Sequence, residues 1–77
     1  MNVLVVEDRP TVREVLIAVA SSALTDAKVQ GVAGLEEGLA AACATRMDAV
    51  LLDLGLPGCR GIEALERFKA AFPRLTV

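Results

Sequence analysis

Two kinds of hydrophobic pattern alternate along this chain. The first is the unbroken run. Val3-Leu4-Val5-Val6 and Ala49-Val50-Leu51-Leu52 are each four apolar residues long, and each stops at acid, Glu7-Asp8 after one and Asp53 after the other. Short continuous runs of this kind mark strands buried on both faces, the usual case in a parallel sheet. A weaker run, Ala27 to Ala33, is interrupted by Lys28, Gln30 and Gly31. Mixed polarity of that kind suits an edge strand. The second pattern is the helical stripe. Val12, Val15, Leu16, Val19 and Ala20 predict a helix over Pro10 to Ala23, with Pro10 in the first turn where it is tolerated. Leu35, Leu39, Ala42, Cys43 and Met47 trace a second stripe, with Gly38 inside it at a cost of about 1 kcal/mol. Ile62, Leu65, Phe68 and Phe72 trace a third over Gly61 to Ala71, which Pro73 ends; Leu75-Thr76-Val77 then reads as the start of a fourth strand.

Strands alternating with helices imply an α/β fold with a parallel sheet and right-handed crossovers. In such sheets ligands bind beyond the carboxyl ends of the strands. Both unbroken strands deliver acid to that end. If the two are neighbours, Glu7, Asp8 and Asp53 converge. With no basic residue fixed among them, three carboxylates repel one another, and a divalent cation resolves the conflict. Oxygen donors without histidine point to Mg2+, which takes only one or two direct carboxylates and keeps several waters. The backbone carbonyl of Gly55 is a further candidate ligand. Taken singly, Asp8 fits a helix N-cap before Pro10, and Asp53 fits a turn residue. The coincidence of both at the ends of buried strands favours the chemical reading. Asp48 belongs to the turn before its strand, Cys43 to the core stripe and Cys59 to a loop.

Composition narrows the classes. The 77 residues form one domain at most, and 55% of them are hydrophobic, with Phe68 and Phe72 as the aromatics. That is rich for a domain this small, which buries only about 60% of its unfolded surface. The formal net charge is -2 and no basic cluster occurs, which argues against direct nucleic-acid contact by this segment. Two cysteines without CxxC spacing, and no histidine, argue against zinc and for reduced thiols. No run reaches transmembrane length and the start lacks a signal-peptide pattern, so a cytoplasmic location is expected.

The acid pair Glu7-Asp8, the aspartate Asp53, then Leu56-Pro57 and Gly61, resemble the receiver domain of two-component response regulators. The stretch from Asp8 to Leu16 is also similar to receivers attached to LuxR-type helix-turn-helix output domains. The resemblance implies a flavodoxin-like sheet of five strands in the order 2-1-3-4-5. It implies that Asp53 is the phosphoacceptor, taking a phosphoryl group from a sensor histidine kinase or phosphotransfer protein. Asp8 and Asp53 would bind Mg2+ directly, Glu7 through water and Gly55 through its carbonyl. Pro57 and Gly61 would shape the loop.

The family also needs a Ser or Thr ending strand four and a Lys ending strand five, and both lie beyond Val77. Residues 1–77 are therefore expected to be a partial receiver, with only a stub of the fourth strand and without the fourth helix, the fifth strand and the fifth helix, and with impaired phosphate chemistry. Strand three would expose an apolar edge, a template for pairing with another copy, so a homo-oligomer is expected. A non-catalytic self-association module is one competing reading. Another is a Mg2+-dependent phosphohydrolase with Asp53 as nucleophile. The haloacid-dehalogenase pattern wants a second Asp at position 55, where this chain has Gly, and no P-loop motif is present. The leading reading is a signalling module, not a turnover enzyme.

Overall fold

A computed structural model describes residues 1–56, 58 and 60–77; Pro57 and Cys59, for which a loop-shaping role and a loop position are expected, lie outside the described residues. Three strand–helix pairs follow one another: β1 (Asn2–Val6), α1 (Pro10–Ala23), β2 (Lys28–Val32), α2 (Leu35–Ala44), β3 (Ala49–Leu52) and α3 (Gly61–Ala71). The strands are parallel and ordered β2-β1-β3, the order of the first three strands in a flavodoxin-like sheet. β1 is central and buried, β2 is the partly solvated edge that its polarity predicts.

Alternation along the strands sorts the side chains between two faces. Leu4, Val6 and Val50 join Leu35, Ala42, Met47, Ala64, Phe68 and Leu75 in one core under α2 and α3. Val3 and Val5 point to the other face, which α1 covers by packing over β1 and β2. Register places Leu51 on this second face beside Val5. Helix α1 packs over β1 and β2, and Leu51 is 42% exposed.

Each helix buries a narrower face than its stripe predicts. On α1, Val15 and Val19 are exposed, while Ala20 is buried and Val12, Leu16 and Ile17 are half-buried. The seat of the helix is shifted toward Ile17 because Gly31 of β2 leaves a gap there, and Ile17 and Arg13 fill it. On α2, Cys43 is exposed, against the core position expected for it. Leu35, Gly38 and Ala42 form the buried face, and Cys43 lies one residue step around the cylinder from it. Gly38 is no accident: a Cβ there would lie 2.9 Å from a methyl of Val6 and 3.1 Å from the ring of Phe68. Helix α2 ends at Ala44, and Met47 reaches the core from the loop instead. On α3, Ala64 and Phe68 are buried, and Ile62 is exposed.

The expected fourth strand is a single parallel bridge, Ala49 to Thr76, closed by the Val50 amide donating to the Thr76 carbonyl at 2.8 Å.

Candidate metal and phosphoacceptor site

Backbone ladders carry the acids to one place. The Glu7 amide donates to the Val32 carbonyl at 3.0 Å, continuing the β1–β2 ladder by one residue. The Asp53 amide donates to the Val6 carbonyl at 3.0 Å, continuing the β1–β3 ladder. Both strands therefore end level, at the carboxyl edge of the sheet. One carboxylate oxygen from each of Glu7, Asp8 and Asp53 lies within 4.8 Å of the others. The sequence reading expects these three residues to converge, and they do.

The three differ in their surroundings. Glu7 is 2% exposed, the one buried charged residue among those described. Asp8 and Asp53 are half-buried and Gly55 is exposed. Asp53 Oδ1 accepts the Gly55 amide at 2.9 Å, a local turn that steadies the carboxylate. Leu56, buried in the core below, anchors the loop beyond it. Gly61 opens α3 against that same loop: a Cβ there would sit 2.5 Å from the Leu54 carbonyl oxygen. A loop-shaping role for Gly61 thus has a steric basis.

Asp8 does not cap α1. Arg9 is the N-cap residue, without a side-chain capping bond. Its backbone is extended, φ -85° and ψ 116°, as a residue before proline prefers. That conformation turns Arg9 back onto the cluster. Glu7 Oε1 accepts both the Arg9 amide at 3.1 Å and Arg9 Nε at 3.0 Å. Arg13, one turn into α1, donates Nη1 to the Glu7 carbonyl at 2.9 Å. The expectation that no base is fixed among the acids is therefore wrong. The reason is reach: a long side chain just past the strand can return to it once Pro10 sets the chain direction. An arginine at position 9 followed by one at 13 was the available signal.

This pairing sets the electrostatics. The side-chain hydrogen bond from Arg9 holds the Glu7 carboxyl below its ordinary range, and it outweighs the burial that pushes the other way.

The donor set suits a hard cation. Three carboxylates, with neither histidine nor thiolate among them, match Mg2+ in donor type.

The response regulator receiver domain matches residues 3–77, nearly the whole chain. This chain belongs to that family. Solved structures agree. One is the complex of histidine kinase ThkA with response regulator protein TrrA, 26% identical, with a TM-score of 0.83, covering 96% of this chain and 62% of that one. A second is the chemotaxis protein CheY4 of Vibrio cholerae, 25% identical, with a TM-score of 0.81, covering 95% and 59%. A mutant of the response regulator MaeR bound to sulfate shares the fold, with 21% identity, a TM-score of 0.87 and coverage of 99% and 62%. This receiver chain thus spans about three fifths of the length of these relatives. No curated protein matches it.

Proposed function

We propose that this receiver accepts a phosphoryl group on Asp53, in a Mg2+-dependent step of two-component signalling. The observation that carries the reading is the meeting of Glu7, Asp8 and Asp53 within 4.8 Å at the ends of two adjacent parallel strands. A carboxylate oxygen of Asp53 would attack the phosphorus of a donor phosphohistidine. The new bond is P–O, the broken bond is P–N, and the imidazole nitrogen leaves with the electron pair. Asp8 and Asp53 would hold Mg2+ directly, Glu7 through water and Gly55 through its carbonyl. The ion, when bound, would supply positive charge to the oxygens of the transferring group. The Gly55 amide, bonded to Oδ1, would keep the Asp53 carboxylate from rotating during the approach.

The donor would be a sensor histidine kinase or phosphotransfer protein; the ThkA–TrrA complex is an instance of such a pairing in a relative. This is a signalling module and not a turnover enzyme. Among the described residues no helix is long and apolar enough to cross a membrane, and a cytoplasmic site of action is proposed from the pairing with a kinase. Any output to DNA would belong to other parts of the protein, since this segment has a net charge of -2 and no basic cluster.

The test is incubation with acetyl phosphate and Mg2+, read by intact mass for an acid-stable, base-labile phosphate adduct. The wild-type chain gains one adduct at low occupancy, and Asp53→Asn gains none. An adduct on Asp53→Asn would remove Asp53 from the acceptor role.

A second reading, self-association, has its own observation. β3 is paired along its whole length on one side only, and Leu51, Leu54 and Ile62 are exposed. Two copies joined along this strand would satisfy the remaining backbone groups and cover these side chains.

A further inference from the structure

We propose that Arg9 is the resident countercation of the acid cluster, and that a divalent cation binds in competition with it. The inference rests on reading the cluster as a cation site and concerns how that site is regulated.

Three observations combine. First, Arg9 takes up Glu7 Oε1 twice, through its amide and through Nε, so one oxygen of the innermost acid is already spent. Second, the pair is lopsided. The side chain of Glu7 is 3% exposed and that of Arg9 is 66% exposed. The carboxylate is held in place by the protein, while the guanidinium rests on it from the solvent side and is the partner free to leave. Third, Arg9 also interacts electrostatically with Asp53 and Asp8. Its charge is spread over all three acids that a cation would use.

Physical necessity does the rest. Charges of like sign a few ångströms apart in a half-exposed site repel strongly. A cation entering among Glu7, Asp8 and Asp53 therefore meets a guanidinium that already serves them. Arg9 lowers cation affinity, and in exchange it stabilises the cluster while the site is empty of metal. Pro10 gives the device its direction, because the extended Arg9 backbone before proline aims the side chain back at Glu7. Arg13 does not compete: it serves the Glu7 carbonyl, not the carboxylate.

The experiment is a titration with Mn2+, counting free ion by electron paramagnetic resonance, on the wild-type chain, Arg9→Gln, Arg9→Lys and the double variant Asp8→Asn/Asp53→Asn. Alongside it, the Arg9 Nε–H resonance is followed by NMR during a Mg2+ titration. Arg9→Gln is expected to bind Mn2+ roughly three- to tenfold tighter than wild type. Arg9→Lys, with the charge but not the planar fork, should fall between them. The Nε–H signal should shift and exchange faster with solvent as Mg2+ binds. Equal or weaker Mn2+ binding by Arg9→Gln, with the double variant impaired, would overturn the countercation role and leave the cation site standing. Binding absent from wild type and Arg9→Gln alike, or undiminished in the double variant, would overturn the cation site and this inference with it.

Discussion

The amide of Asp53 donates to the carbonyl of Val6 at 3.0 Å. This one bond extends the β1–β3 ladder one residue past the end of β3. It sets Asp53, the acid that follows β3, beside Val6, the residue just before the acid pair Glu7-Asp8. The acids meet because the backbone is paired up to that point, and the loop beyond Asp53 is free to turn only afterwards.

Gly61→Ala tests the support of that loop. The added Cβ would meet the Leu54 carbonyl oxygen at 2.5 Å and Leu54 Cβ at 2.7 Å. Backbone cannot give way as a flexible side chain can. Overpacking of this kind costs typically about 1–3 kcal/mol, against a gain in helix propensity of at most about 1 kcal/mol at the first turn of α3. The expected result is a lower urea midpoint with an unchanged slope, and slower phosphorylation of Asp53. An unchanged midpoint would show that Leu54 moves aside freely.

Acid pH should weaken the fold through Glu7. Its folded-state pKa lies below the ordinary 4.5, chiefly through the Arg9 side-chain hydrogen bond. A carboxyl whose pKa is depressed by folding adds stability that is fully present above its unfolded pKa. That stability is lost as pH falls through the folded value, so the window lies below about pH 4.5. Urea midpoints of wild type and Glu7→Gln, measured from pH 7 down to 3 without divalent cations, should converge at the acid end. A gap that stays constant across the range would contradict the assignment.

Leu51→Lys tests the open side of β3. Leu51 is 42% exposed on the sheet face where α1 packs over β1 and β2. A charge beside a free strand edge opposes pairing between copies. Light scattering on the wild-type chain should give a mass that rises with concentration, and Leu51→Lys should shift it toward the monomer. A wild-type mass that stays monomeric at all concentrations would end the self-association reading.

The order of elements is legible in the sequence. Helix α1 begins at Pro10 and ends at Ala23, and α3 begins at Gly61 and ends at Ala71, where the patterns place them. Local signals suffice for this, because proline, glycine and apolar spacing act over a few residues. The convergence of Glu7, Asp8 and Asp53 was legible too, given β1 and β3 as neighbours. The faces of the helices were not. Val15 is apolar and exposed while Ile17 packs toward the sheet; Cys43 is exposed while Gly38 is buried.

Sequence alone determined which segments become strand or helix and that two buried strands end in acid. Those properties follow from backbone period and turn chemistry, which are local. Tertiary structure decided how far each helix rolls on its axis and which cation reaches Glu7. Hydrophobic attraction has no direction, so an apolar stripe wider than the contact leaves the roll open until gaps such as the one above Gly31 select it. The reach of Arg9 back to Glu7 likewise depends on where the chain turns after β1, and no periodicity records that.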